Sequence, residues 1–481
     1  MPKFTSKTDG NRTISPGGYD VYSIHITLAN GNITDVKSLV QEIEIVESLN
    51  TASIQVSARL YDGINFLENS HLVGGEKVNI KIRRTANTKE SFSESRDKFD
   101  IEVFIAAIVE HNTPKPGLQA YTIECVSQHA LISASKKLNR SFNGVMGQLV
   151  TNIFTNDLHL KDSIDYLTDN ISDSTDQVKG IYPNLSPLEA LTWLTRNSSN
   201  DGTPYFLYET IKEGLNFKSY NDMIAEDLYQ TYNDATFSVN TPNTAESYEE
   251  LEKKILSLNS DLNRSLYDSI SNGSYSSKLH TLDIATKKYK QTHFTYDNQY
   301  KLNSNNPFTD QIEFDNKKIN EYDSNKQYYV SLNSKAFKQD MNYHKPVVSS
   351  LLNKQSYHNN LSFMGLDMEI YGDFDISVGR KVGIIIPKAN DSVLASANRN
   401  FTDKYLGGTY IIASISHFFS QTDYRCSVGL QKDSIGIDLD SDIEIGKKSR
   451  AKPITKVKKE KQANGRKGRK RSRGQRILGK L

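Results

Sequence analysis

The sequence predicts an α+β protein, mainly β, built on two duplicated antiparallel β-barrels, the second discontinuous, with α-rich and α/β insertions. Three observations carry this. The first is a run of short segments between Phe363 and Leu430, namely Met364–Gly372, Val378–Pro387, Gly408–His417 and Tyr424–Leu430. Each is rich in β-branched or aromatic residues, partly alternating, and bounded by Gly, Asp, Asn or Pro, as strands of an antiparallel sheet are. The second is that the pattern occurs twice. Gly75-Glu-Lys-Val-Asn-Ile-Lys-Ile82 matches Gly379-Arg-Lys-Val-Gly-Ile-Ile-Ile386 without a gap, Phe104–His111 matches Tyr410–His417, and Tyr121–Val126 stands where Tyr424–Val428 stands. Gly75 to His111 is 36 positions, Gly379 to His417 is 38, and Leu60–Gly63 has a counterpart in Ile370–Asp373. Motifs in fixed order at near-equal spacing point to an internal duplication. The third is composition: 26 Tyr with abundant Asn, Ser and Asp favours sheets, loops and interfaces over helical bundles.

In chain order, residues 1–18 read as a flexible arm, with Ile14-Ser-Pro-Gly-Gly18 as its breaker cluster. Residues 19–127 form the first barrel, with strands at Val21–Leu28, Val40–Val46, Ala52–Tyr61, Lys77–Arg83, Phe99–Glu110 and Tyr121–Ser127. Asn30-Gly31 is a hairpin turn, and Thr85–Lys98 is a long polar loop. Residues 128–202 are an α-rich insertion, because Leu131, Leu138, Val145, Leu149, Ile153 and Leu158 recur at roughly helical spacing. Ser186 caps a further helix with Pro187 in its first turn, and Trp193 lies near that helix's apolar stripe, where core packing outweighs a role as ligand platform.

Residues 203–224 read as a hairpin, Thr203–Glu209 followed by Gly214–Lys218. The 363–430 block lacks the strands that precede Tyr61 in the first copy, so this hairpin is expected to complete the second barrel. Residues 225–345 are then an insertion containing an amphipathic helix at 246–271, where Leu251, Ile255, Leu258, Leu262, Leu266 and Ile270 step by three and four. Glu250 and Lys254 would form a surface i, i+4 pair on it. Residues 346–435 supply the rest of the second barrel, 436–446 an acidic linker and 447–481 a basic tail.

A chain of 481 residues suggests several domains, and 37% hydrophobic content with mean hydropathy −0.57 implies much exposed or partner-covered polar surface. No run approaches the roughly 18 apolar residues that span a bilayer, and Met1-Pro-Lys-Phe-Thr-Ser lacks an apolar signal region, so use without Sec export is expected. Cys125 and Cys426 fall in the last strands of the two repeats, where burial is favoured over a disulfide. The net charge of +2 hides an asymmetry: residues 447–481 hold sixteen Lys and Arg against Glu460 alone, or +15, while 1–446 hold 43 basic and 56 acidic residues, or −13.

The sequence shows no active-site motif: no His-x-x-x-His, Cys-x-x-Cys, phosphate loop or Gly-x-Ser-x-Gly. No enzyme activity, cofactor or metal is therefore expected. The candidate residues are structural markers of the repeat: Gly75, Lys77, Val78 and His111 in the first copy, and Gly379, Lys381, Val382 and His417 in the second. The two histidines read as half-buried strand-end imidazoles bonded to backbone. Asp438, Asp440, Asp442 and Glu444 alternate as calcium ligands sometimes do, yet lack the Gly and Glu that complete such a loop, and read as solvated linker. Arg466, Lys467, Arg469, Lys470, Arg471 and Arg473 form the densest cationic cluster, able to contact a polyanion through counterion release or an acidic partner, while the absence of interleaved aromatics disfavours specific single-strand recognition.

Tyr371-Gly-Asp373, Val378-Gly-Arg-Lys-Val382, Gly408–His417, Tyr424, Leu430-Gln-Lys-Asp433, and Ile181–Leu191 ahead of Tyr205-Phe-Leu-Tyr208 together resemble the central baseplate hub proteins of contractile-tailed bacteriophages and related injection machines. They cover most of 20–435 in family order. The resemblance implies two tail-tube-type barrels with an α/β insertion, the second barrel being split. It also implies a homotrimer, in which two barrels from each of three chains make a quasi-sixfold ring. Such a ring would meet a tail-tube protein hexamer on one side and a threefold central spike on the other, among the surrounding baseplate wedge proteins. The implied place is the virion tail baseplate, assembled in the host cytoplasm and acting in viral genome ejection. The sequence departs from fused family members in lacking a repetitive β-helix or lysozyme-like segment, which implies a separate central spike protein. The basic tail is no part of the family pattern, and a DNA-binding or DNA-passage role through it is the alternative reading.

Overall fold

The computed structural model describes residues 17–84, 97–160, 171, 177–199, 202–234, 252–261, 265–296, 313–322, 326–333, 344–361, 364–386, 403, 405–421 and 423–433. The predicted N-terminal arm before residue 17, most of the 85–98 loop, the acidic linker and the basic tail lie outside these residues.

The first sheet follows from period-two patterning. Its strands are β1 (Tyr19–Thr27), β2 (Ile33–Asp35), β3 (Val40–Ser48), β4 (Gln55–Asp62), β5 (Lys77–Arg84), β6 (Lys98–Lys115) and β7 (Leu118–Val126), with a short helix α1 (Phe66–Ser70) before β5. In β5, Lys-Val-Asn-Ile-Lys-Ile buries Val78, Ile80 and Ile82 and turns the polar residues outward. Six strands lie in the order β1-β5-β6-β7-β4-β3, all antiparallel. Among the described residues β1 and β3 are not hydrogen-bonded to each other, and Val21 and Ile24 meet Val40 and Ile43 around a small gap there.

The insertion contains α2 (Gln128–Ala134), β8 (Ser141–Val145), α3 (Met146–Asn152) running into a π-helical turn (Ile153–Asp157), β9 (Gln177–Ile181), α4 (Pro187–Asn197), β10 (Tyr205–Thr210), β11 (Gly214–Ser219) and α5 (Tyr220–Ala225). Ser186 caps α4 as expected: its Oγ accepts the Glu189 N–H and Glu189 Oε2 accepts the Ser186 N–H, closing a capping box. Trp193 packs edge-on to Phe142 at the border of a core built on Val150, Phe154, Leu191 and Leu194. The 203–224 hairpin departs from expectation. β10 and β11 form a separate two-stranded sheet whose Leu207, Leu215 and Phe217 belong to this insertion core, and they do not enter the second barrel.

The strands that do enter it are β12 (Leu228–Asp234) and β13 (Lys254–Asp261). The helix expected over 246–271 is thus corrected: within its described part Glu252 is helical, 254–261 is strand and α6 (Leu266–Ser271) is helix. The register against the neighbouring strand shifts between Ile255 and Ser257, so Leu256 is an extra, bulged residue. The bulge turns a strand's spacing of two into the three between Ile255 and Leu258, which imitates a helix. Lys254 opens the strand, and Glu250, its expected partner, lies outside the described residues.

Next come β14 (Ser276–Asp283), β15 (Lys288–Thr295), the short β16 (Glu313–Phe314) and β17 (Lys317–Lys318), β18 (Gln327–Leu332) and α7 (His344–Leu361). The β15-β14-β18 sheet packs Leu279 and Phe294 with Leu352 of α7. The chain returns through β19 (Met364–Tyr371), β20 (Lys381–Ile385), β21 (Gly408–Phe419) and β22 (Tyr424–Lys432). Together β12-β20-β21-β22-β19-β13 close into a six-stranded barrel through the β12–β13 pairing. One hydrophobic core runs through both sheets, from Val21 to Leu430.

Candidate functional site

The first sheet reads β1-β5-β6-β7-β4-β3 and the barrel reads β12-β20-β21-β22-β19-β13, so the strands match in both spatial and pairing order. One orientation differs, since β1 is antiparallel to β5 whereas β12 is parallel to β20. The two units agree most closely at Gly75 and Gly379. Gly75 and Gly379 both hold φ at +87°, a conformation that a side chain resists. Gly75 donates its N–H to Ile105 O at 2.7 Å, and Ile105 donates back to Glu76 O. Gly379 donates to Ile412 O at 2.9 Å, and Ile412 donates back to Arg380 O. Both acceptors sit immediately before a bulge, at Ile105/Ala107 and at Ile412/Ser414.

This latch fixes the correspondence of the other markers. Lys77 faces Phe104 and Val78 faces Val103, while Lys381 faces Ile411 and Val382 faces Tyr410. Val103 therefore corresponds to Tyr410, one residue away from the ungapped sequence match. A one-residue slip reverses every side chain's face, and the equivalence of the two histidines does not survive it. His111 lies in a second irregularity of β6, exposed, with its Nε2 3.3 Å from Gln119 Oε1. His417 is fully buried, its Nδ1 2.8 Å from Tyr424 Oη. Neither is the half-buried, backbone-bonded imidazole expected. The cysteines are likewise not equivalent: Cys125 lies opposite Ile105, just before the bulge, where the second copy has Leu430 opposite Ile412, whereas Cys426 lies opposite His417. Both thiols are buried and free, and burial pushes each up to about 12.

The two six-stranded units are joined by a strand seam. β3 pairs antiparallel with β21, from Ser48 opposite Ser414 to Ile43 opposite Phe419, and Ser416 Oγ donates to Glu44 Oε1 at 2.6 Å. Behind it Phe99 of β6 meets Phe374 at 4.9 Å and His417 at 5.1 Å between ring centroids, and Phe419 stacks on Tyr424 at 4.1 Å. Each such aromatic pair adds roughly 0.5–1.5 kcal/mol beyond burial. Tyr424 donates its hydroxyl proton to Asp373 O at 2.8 Å. His417 must then donate from Nδ1 to Tyr424, which leaves Nε2 buried without a partner. Burial depresses this imidazole to about 3, so it stays neutral.

Glu47 of β3 is the seam's key polar group. Its Oε1 accepts the Ile211 N–H at 2.7 Å and its Oε2 the Val378 N–H at 3.2 Å, so one carboxylate ties the first sheet, the β10–β11 turn and the approach to β20. Burial raises Glu47 to about 7, against the lowering effect of its two backbone donors. Glu209 of β10 makes a parallel tie, accepting the Ile54 N–H at 2.7 Å and the Ser127 hydroxyl. Sequence reasoning missed Glu47, yet a signal was present: Ile43, Ile45 and Glu47 share one face of β3, so an acid occupied an inward, apolar phase.

Away from the seam, a cavity of about 500 Å³ lies between α4, β10 and α7. Its Lys354 is held by the carbonyls of Arg196 and Ser198 at the C-terminal end of α4, and burial lowers it to about 8. Among the described residues no group of three or more His, Cys, Asp or Glu could hold a metal ion, and no helix is long and apolar enough to cross a membrane. The tail cations Arg466, Lys467, Arg469, Lys470, Arg471 and Arg473 lie outside the described residues.

No protein-family model matches the sequence, and a search of curated proteins finds no match. Among solved structures, the chain is similar to a tail protein from Neisseria meningitidis MC58 at 10% identity and TM-score 0.48, over 87% of this chain and 98% of that one. It is similar to the 43 kDa tail protein of prophage MuSo2 from Shewanella oneidensis at 10% identity and TM-score 0.48, over 85% and 97%. A third is the E. coli c3393 protein, a type VI secretion component described as structurally similar to T4 tail proteins gp27 and gp5, at 8% identity and TM-score 0.40, over 86% and 76%.

Proposed function

We propose that this protein is a non-catalytic structural hub of a contractile phage-type tail baseplate. As a homotrimer it joins a hexameric tail tube to a separate threefold spike, nucleates assembly with the surrounding wedge proteins in the host cytoplasm, and serves genome ejection from the virion. The observation that carries this reading is the matching strand order of the two six-stranded units, with the same glycine latch at Gly75 and Gly379. A chain with two similar units supplies six from three copies, which reconciles a sixfold neighbour with a threefold one. Size-exclusion chromatography with light scattering tests it: the full chain should run as a trimer, and a strict monomer at all concentrations overturns the reading.

The +15 charge of 447–481 favours a second reading, a nucleic-acid-binding or DNA-passage protein acting through that tail. Deleting 447–481 separates the two. The hub reading expects an unchanged trimer, whereas the second expects a monomer whose salt-sensitive DNA affinity vanishes with the tail.

A further inference from the structure

Three parts of the chain wall the cavity of about 500 Å³: the segment just after β3, the α4 and β10 stretch of the first insertion, and one face of α7. Pockets for small organic molecules span roughly 300–1,000 Å³. On α7 the lining residues Leu351, Lys354, Gln355 and His358 follow the spacing that places side chains on one helix face. Much of the wall is apolar. Leu49 and Leu207 are buried there, Phe206 and Leu351 are half-buried, and the Phe206 ring stands edge-on to His358 at 5.8 Å between centroids.

The charge of the lining has one sign. Lys354 is only 6% exposed, Arg196 and His358 stand at the exposed rim, and no carboxylate is among the lining residues. The Lys354 ammonium has three N–H donors. The carbonyls of Arg196 and Ser198 take two of them, and the third has no acceptor among the described residues. Those carbonyls supply dipoles and no counter-charge, and burial lowers Lys354 with no carboxylate opposing it. A buried cation without a counter-ion is costly. An anion entering the cavity supplies both the missing acceptor and the missing charge.

We propose that this cavity binds a small organic anion, a single carboxylate on an aliphatic body. The carboxylate accepts the third N–H of Lys354, and the body lies against Leu49, Phe206, Leu207 and Leu351. Inorganic phosphate fits poorly, because a dianion needs more donors than one N–H and would leave the apolar wall uncovered. The exposed guanidinium of Arg196 draws anions toward the opening. A ligand seated here touches the end of β3, the first insertion and α7 together, and by binding only the folded chain it stabilises all three. The site is independent of the hub reading, and each can fail without the other.

The test is isothermal titration calorimetry of the full chain with sodium octanoate, which should bind saturably at a single site per chain. Octanol and octylammonium lack the negative charge that Lys354 recognises, and acetate lacks the apolar body, so each should bind at least about tenfold more weakly. Thr192 lines the cavity from the exposed side of α4. Thr192→Trp should fill the space and abolish octanoate binding while leaving the ligand-free melting temperature unchanged. Lys354→Met should reduce octanoate to the affinity of octanol. Absence of saturable heat overturns the proposal, and so does equal affinity for octanoate and octanol. Octanoate binding that survives Thr192→Trp places the anion elsewhere, such as on the cations of 447–481, and overturns the site. Should Lys354→Met fail to fold because the α4 carbonyls lose their cap, the octanol and Thr192→Trp measurements still decide.

Discussion

Gly379 donates its backbone N–H to Ile412 at 2.9 Å while holding a left-handed conformation, and an ideal Cβ placed on it would stand 2.6 Å from Tyr208 Oη. Gly75 makes the same bond in the same conformation, but the space beside it is open to 4 Å. The two latches therefore differ only in what surrounds them, and this sets the first expectation.

Gly75→Ala should cost roughly 1–2 kcal/mol, the strain of a Cβ at positive φ. Gly379→Ala should cost that amount plus roughly 1–3 kcal/mol for displacing the buried Tyr208 ring. Urea unfolding of the two variants measures the difference directly, and equal losses would mean that Tyr208 yields without resistance.

Glu47 makes stability depend on pH in the neutral range. Its folded value of about 7 lies above the ordinary carboxylate value because it is buried, so the folded chain binds that proton more tightly than the unfolded chain. The contribution is fully present below about pH 4.5 and is lost as pH rises to about 7, a change of roughly 3 kcal/mol. Denaturant midpoints of wild type and Glu47→Gln at pH 5 and pH 8 should converge or cross, and parallel shifts in the two proteins would exclude Glu47 as the source.

His417 acts at the other end of the scale. Its imidazole is held neutral by burial, at about 3 against the ordinary 6.5, so the unfolded chain takes up a proton that the folded chain refuses. Stability should fall as pH drops from about 6.5 toward 3, by an amount on the order of 3–5 kcal/mol at the lower end. His417→Phe should flatten this acid limb in thermal unfolding between pH 6.5 and pH 4, even if the variant is less stable at neutral pH through loss of the Tyr424 contact.

The fold was legible wherever burial is one-sided and alternation uninterrupted. β5 is such a stretch, burying Val78, Ile80 and Ile82 in strict alternation, whereas β20 buries Val382, Gly383 and Ile384 in succession. Legibility failed at bulges. The extra Leu256 gave β13 helical spacing, and the bulges of β6 and β21 hid a one-residue slip that made His111 and His417 look equivalent. It failed again at the hairpin, because β10 and β11 bury residues on both faces and nothing local says which core receives them. The seam itself was invisible in the sequence, since pairing between β3 and β21 depends on two edges far apart in the chain. Only Glu47, an acid in an apolar phase, marked it.

That distance has a kinetic consequence. Ser416 and Glu44 are 372 positions apart, whereas the first sheet needs nothing beyond Val126 for its own pairings. On the ribosome the first sheet can form early, with the edge of β3 waiting uncovered until β21 has been synthesised. During that interval the edge of β3 can be captured by the β21 or β6 edge of another nascent chain. Crowded polysomes are therefore where wrong subunit joining would begin, and dilution during refolding should raise the yield of correctly closed chains.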